Sequence, residues 1–96
     1  MTKIEIPVEL KDKIQKADIK RSATRDLILH ILANEVDIPE GRMEMLNEKY
    51  TMEFYDFERA KSELEEKYII PTFADQNVNW NLDYSTSIVT VMEDGE

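Results

Sequence analysis

Apolar residues recur at helical spacing along most of this chain and then, beyond residue 70, at every second position. The clearest helical stripe is Phe57, Ala60, Leu64 and Tyr68, which leaves Glu58, Ser62, Glu65 and Glu66 facing away from a core. Thr51 can cap this segment, and Glu53 and Asp56 then stand near the end of the helix dipole that favours acids. The segment closes on Tyr68-Ile69-Ile70-Pro71. A proline disfavours helical geometry in the residue before it, so the chain is expected to pass here from helix into an extended segment, Ile69 to Phe73.

Upstream, Lys3-Ile4-Glu5-Ile6 alternates as a short edge strand does, and Pro7 suits the first turn of a helix with the stripe Leu10, Ile14 and Ala17. That helix is expected to be peripheral. Lys20-Arg21-Ser22 interrupts the pattern, and Ser22 or Thr24 can cap a second helix. Its apolar face of Leu27, Ile28, Ile31 and Leu32 is expected at the centre of the core. Asn34 to Ile38 is a connector. Pro39 opens a third helix through Met43, Leu46 and Tyr50, weakened by Gly41 in its first turn, and Tyr50-Thr51 links it to the central helix.

Downstream, Ala74 to Asn77 reads as a turn. Val78, Trp80, Leu82 and Tyr84 alternate with Asn79, Asn81 and Asp83, so Trp80 and Tyr84 are expected on the buried side of a hairpin. Ser87 to Met92 is a second β-prone run, and Glu93 to Glu96 is too polar to order itself. The expected fold is mainly α with a small C-terminal β-hairpin (α+β). It forms a single domain over residues 1–96, with an N-terminal strand and peripheral helix (1–21), a three-helix core (22–70), a hairpin or wing (71–92) and a tail (93–96).

Composition narrows the chemistry. The chain has no cysteine, which excludes disulfides and thiolate chemistry and suits a reducing, cytoplasmic setting. Its two glycines cannot build a phosphate loop, and its single histidine, His30, has no partner at metal-ligand or triad spacing. No apolar run is long enough to span a bilayer. Neither an enzyme nor a cofactor is expected, and no membrane. The net charge of −9 is uneven: residues 1–25 hold seven of the twelve basic residues but four of the twenty-one acids. An acidic body attracts basic protein surfaces and repels nucleic acid.

The order of helices, with Arg25 to Leu32, then Glu40 to Tyr50, then a helix ending Ser62-Glu63-Leu64-Glu65-Glu66-Lys67-Tyr68-Ile69-Ile70 before a hairpin, resembles a winged helix-turn-helix domain over Ser22 to Leu82. The resemblance implies a winged-helix-like fold whose third helix and wing meet the ligand. In DNA-reading members those elements carry Lys, Arg and amides. Here the helix from Glu53 to Lys67 holds six acids and three bases, and the wing Asp75-Gln76-Asn77 holds no base. The start of the chain, Lys3 to Ile6 and then Arg21 to Ile28, also resembles ribbon-helix-helix DNA-binding dimers.

The expected function is therefore a small acidic protein-binding module, a regulator or inhibitor of a larger protein or nucleic-acid-handling machine. It would meet a basic surface through Glu53, Tyr55, Asp56, Glu58, Arg59, Ser62 and Glu66. One alternative is a DNA-binding regulator using Lys11, Lys13, Lys16, Lys20, Arg21 and Arg25, the one reading in which nucleic acid is a partner. Another is a peptide substrate or scaffold whose run Asn77 to Met92 is taken by a processing enzyme. The residues leave open whether the protein is a monomer or a homodimer.

Overall fold

A helix ends where the backbone is forced to turn, and among residues 8–64 glycine and proline occur only at Pro39 and Gly41. The computed structural model, which describes residues 1–73 and 78–93, accordingly has two long helices where four were expected. Helix α1 runs over Val8–Ala33 and α2 over Arg42–Leu64. Lys20-Arg21-Ser22 and Tyr50-Thr51 change the polarity of the surface without breaking the helix. Neither Ser22 nor Thr51 caps anything, since the Ser22 hydroxyl faces Asp18 and the Thr51 hydroxyl donates to the Asn47 carbonyl at 2.9 Å. The wing residues 75–77, the turn 74–77 and the tail beyond Glu93 lie outside the described residues.

The loop between the helices is closed locally. Glu35 takes a positive φ of 50°, and the Val36 N–H reaches back to the Ile31 carbonyl at 3.1 Å, which satisfies one of the last free carbonyls of α1. Gly41, with φ of 81°, directly precedes α2; it serves the turn there and does not weaken a helix interior.

Pro71 does not start a strand. A π-helical turn, Glu65–Ile69, follows α2 and leads into a last helical turn, α3, Ile70–Phe73. Pro71 lacks the N–H that would bond to the Lys67 carbonyl, and its ring would crowd that carbonyl in a regular helix. In the wider turn the Ile70 N–H instead bonds to the Glu65 carbonyl, five residues back. The extra residue also corrects the packing register. Leu64 and Ile69 are five apart and would lie about 140° from each other on an α-helix, yet both are buried, with Phe73 one turn further on.

Among the described residues three strands complete the fold: β1 Thr2–Glu5, β2 Val78–Asp83 and β3 Ile88–Glu93. The sheet is antiparallel in the order β1-β3-β2, so the expected edge strand at the N-terminus and the expected C-terminal hairpin both form. Ile4 and Leu82 flank Val89, and Trp80 pairs with Val91, which puts these side chains on the helix-facing side. Asp83 organises the hairpin turn by accepting the Ser85 N–H at 2.9 Å and the Ser85 hydroxyl at 2.6 Å, and these bonds hold its pKa below the usual carboxylate range.

The core lies at the sheet end. Ile6, Leu10 and Ile14 pack there with Ala60, Leu64, Ile69, Phe73, Val89 and Val91, and Phe57 and Tyr68 lie half-buried against them. The stripe of the central helix is therefore as expected, whereas the first helix is not peripheral. The face expected at the centre of the core is outside it: Leu27 and Leu32 are 47% and 61% exposed, and only Ile31 of that set is buried. The cause is that α1 and α2 outrun the sheet. A 26-residue helix spans roughly 39 Å, and the molecule measures 49 × 30 × 22 Å. Its Cα radius of gyration is 16.9 Å, against roughly 12–13 Å for a compact domain of this length. Where the winged-helix resemblance implies three helices before the wing, the chain forms a two-helix arm projecting from a small α+β base.

Candidate protein-binding surfaces

The seam between the helices follows a spacing of four and three. Leu10, Ile14, Ala17, Arg21, Thr24, Ile28 and Ile31 line one side of it and Leu46, Tyr50, Glu53, Phe57, Ala60 and Leu64 the other, and all are buried or half-buried. Two polar residues from each helix therefore enter an otherwise apolar seam. They form a band between the base and the arm. The Arg21 guanidinium bonds to Asp18 at 2.6 Å and lies 4.8 Å from the centre of the Phe57 ring, while the Thr24 hydroxyl donates to Glu53. Tyr84, from the hairpin turn, donates its hydroxyl to Asp18 at 3.0 Å and so ties the sheet to the seam.

These contacts set the protonation of the band. Burial pushes the Asp18 carboxyl up, but the hydrogen bonds from Arg21 and Tyr84 outweigh it and hold the group below its ordinary pKa. The Tyr84 phenol is pushed up to about 12, first by burial and then by the adjacent Asp18. Its folded value lies above the ordinary value near 10, so its contribution to stability is complete below about pH 10 and is lost as pH rises towards 12. Absorbance titration at 295 nm should show one of the four tyrosines ionising late, and Tyr84→Phe should remove that late step. The absence of any late step would show that Tyr84 is neither buried nor bonded to Asp18 as described.

Beside the band lies a cleft of about 530 Å3 between the helices and β2, bounded by Ile14 and Asp18 from α1, Phe57 and Lys61 from α2, and Glu65 from the π-helical turn. The third wall is β2 itself from Val78 to Leu82, with Tyr84 beyond it. The Lys61 ammonium sits 5.1 Å from the Phe57 ring centre and 5.9 Å from that of Trp80. The Trp80 indole N–H donates to Glu65 at 3.3 Å, so Glu65 turns into the cleft and not away from the core side. Trp80 and Tyr84 are half-buried on the helix side of the hairpin, as the alternation indicated.

The arm carries a second feature. Along one side of it Arg25, Ile28, Leu29, Asn47 and Tyr50 share a shallow hollow, next to which Leu29 and Leu32 are 55% and 61% exposed and Phe54 39%. Leu29 and Leu32 are three apart on α1 and Phe54 packs beside Tyr50 on α2, so with the seam-edge residues Ile28 and Tyr50 they form one apolar strip along the side of the arm.

The residues expected to meet a partner are dispersed. Tyr55, Arg59 and Ser62 are exposed and spaced to share the outer face of α2, where Arg59 pairs with Asp56, and Glu66 is exposed on the π-helical turn that follows. Glu58 pairs with Lys61 at 3.5 Å. Glu53 is turned inward on Thr24, and Asp56 borders a hollow with Lys13, Lys16 and Lys20. Lys13 and Lys67 both bond to Glu63 and hold its pKa down. Much of the acidic face of α2 is thus matched, by Lys13 of α1 and by Arg59, Lys61 and Lys67 of its own segment. The six basic residues of the DNA alternative are divided in turn. Lys13, Lys16 and Lys20 face these acids, Lys11 pairs with Asp12 and Arg25 with Asp26, and Arg21 belongs to the seam.

The sequence reading missed Asp18, Phe57, Lys61 and Glu65 as members of one site. The available signal was the unbroken four-three spacing from Leu10 to Ile31, which passes through Arg21 and Thr24 and marks them as seam residues. No protein-family model, curated protein or solved structure matches the chain. The class is defined by its own architecture, a heptad-spaced helical hairpin seated on a three-stranded antiparallel sheet. Among the described residues no helix is long and apolar enough to cross a membrane, and no three His, Asp or Glu side chains gather as a metal site.

Proposed function

We propose that this chain is a small acidic protein-binding module that regulates or inhibits a larger protein or nucleic-acid-handling machine by occupying it. The observation that carries this reading is the apolar strip on the arm. Leu29, Leu32 and Phe54 are exposed together on an element that extends beyond the chain's own core, and contiguous exposed apolar surface of this kind marks an interaction site. Glu44 and Glu48 are exposed further along α2 and agree with a partner whose surface is basic. A chain without cysteine suits work in a reducing cytoplasm.

The test is a paired capture. Leu29→Gln with Leu32→Gln alters exposed positions on a helix, so stability should change by no more than about 0.5 kcal/mol each. Quantitative mass spectrometry of proteins retained from the native host by the original chain and by the double variant should show a partner reduced at least tenfold by the variant, with unchanged circular dichroism. Equal retention by both would remove the arm as the binding surface.

A further inference from the structure

The two outer strands of the sheet differ in how well they are protected. β1 has four residues and carries Lys3 and Glu5, and short charged edges discourage pairing with another chain. β2 has six residues and holds neither charge nor proline from Val78 to Leu82. It pairs with β3 on one side, and among the described residues no strand pairs with its other side. Such an edge is a row of free N–H and C=O groups on which an extended peptide can add as a further strand.

This edge also opens on the cleft. Asn79 and Asn81 project from the opposite face of the sheet and still border the cleft, so what they contribute is the outer edge of the strand. Alternate side chains of an added strand would point in beneath α1 and α2. There the cleft already seats an ammonium, that of Lys61, near the rings of Phe57 and Trp80, with the carboxylates of Glu65 and Asp18 on the same walls. Aromatic rings and carboxylates together suit lysine or arginine. A chain of net charge −9 favours the approach of a basic segment, whereas a second copy would bring a β2 with no basic residue.

We infer that β2 receives an extended basic segment of a partner protein as a fourth strand, with alternate lysine or arginine side chains seated beside Phe57 and Trp80. The Lys61 ammonium then moves towards Glu58, its ion-pair partner at 3.5 Å. This rests on the reading of the chain as a protein-binding module and specifies the segment that is bound.

The experiment selects a phage-displayed library of random twelve-residue peptides against the immobilised full chain. Selected peptides should be basic and free of proline over the bound run. A synthetic lead should shift the fluorescence of Trp80, the sole tryptophan, and should slow amide exchange along Val78 to Leu82. Methylating alternate backbone nitrogens on the pairing edge of the lead should weaken binding at least about tenfold, while methylating the other edge should leave it within about twofold. Lys61→Met, which removes the competing ammonium, should tighten binding severalfold. No binders, binders that are not basic, leads that leave Trp80 and the β2 amides unmoved, leads indifferent to methylation on both edges, or a lead weakened by Lys61→Met would each overturn the inference. Pairing of β2 with a second copy, seen as a concentration-dependent dimer protected at the same amides, would overturn it too. If the leads fail while the Leu29, Leu32 variant still loses its partner, strand addition is excluded and the module reading stands. If that variant retains every partner while the leads behave as expected, the arm is excluded and strand addition stands.

Discussion

Replacing Leu64 with alanine is expected to cost about 2–5 kcal/mol of unfolding free energy, measured by urea denaturation. Leu64 is 0% exposed and sits where α1, α2 and the sheet meet, in a cluster with Ile14, Ala60, Val89 and Val91. Truncation there removes buried methyl groups and leaves a cavity. The walls cannot easily collapse into it, because one is a sheet and the other a helix pinned by the π-helical turn. For a domain of this size the melting temperature should fall by roughly 10 °C or more. A loss under about 1 kcal/mol would mean that α2 is not packed on the sheet as described.

The second large effect is expected at Arg21. Arg21→Ala should destabilise the protein at pH 7 by about 2–3 kcal/mol, somewhat less than for breaking a fully buried pair, because the Asp18 side chain keeps 26% of its exposure. The change leaves the half-buried Asp18 carboxylate with Tyr84 and Ser22 but without a cation beside it, and removes the cation from the face of Phe57. The pH dependence separates these two losses. The folded pKa of Asp18 is depressed, so its contribution to stability is present above the unfolded value near 4 and is lost as pH falls through the lower folded value. The cost of Arg21→Ala should therefore shrink as pH falls through the folded value of Asp18, and what remains once that carboxyl is protonated reports the contact with Phe57. A cost that stays constant from pH 7 down through the acid range would show that the Asp18 ion pair contributes nothing. Replacement of the whole band by apolar residues is a different experiment, since buried pairs are often dispensable once both partners go.

Two elements show how a polarity change and a chain break differ. Lys20-Arg21-Ser22 interrupts an apolar stripe, but nothing in it disfavours helical φ and ψ, and α1 continues to Ala33. Thr24 and Arg21 are polar because they face Glu53 and Asp18 across and along the seam, a relation of residues far apart in sequence for Thr24 and Glu53. Pro71 is the reverse case. Proline normally marks the end of a helix, and here the helix absorbs it by widening one turn, at no loss of packing because Ile69 and Phe73 stay on the core side of Leu64.

The sequence by itself determined what depends on neighbours close along the chain: the helical stripe of Phe57, Ala60, Leu64 and Tyr68, the N-terminal edge strand, the alternation that turns Trp80 inward and the β-prone run after Ser87. It also set the charge, with a basic start and an acidic body. Tertiary structure alone decided which apolar residues become core. Leu27 and Leu32 are as apolar as Leu10 and Ile14, and they lie exposed because the sheet reaches only the first half of α1. It also decided which charges remain available to a partner. Glu53 and Glu63 look like part of a free acidic face in the sequence, and they are met by Thr24 and Lys13 once the hairpin brings α1 beside them. Burial and charge pairing both depend on contacts between segments far apart along the chain, and periodicity within one segment carries no information about what will lie against it.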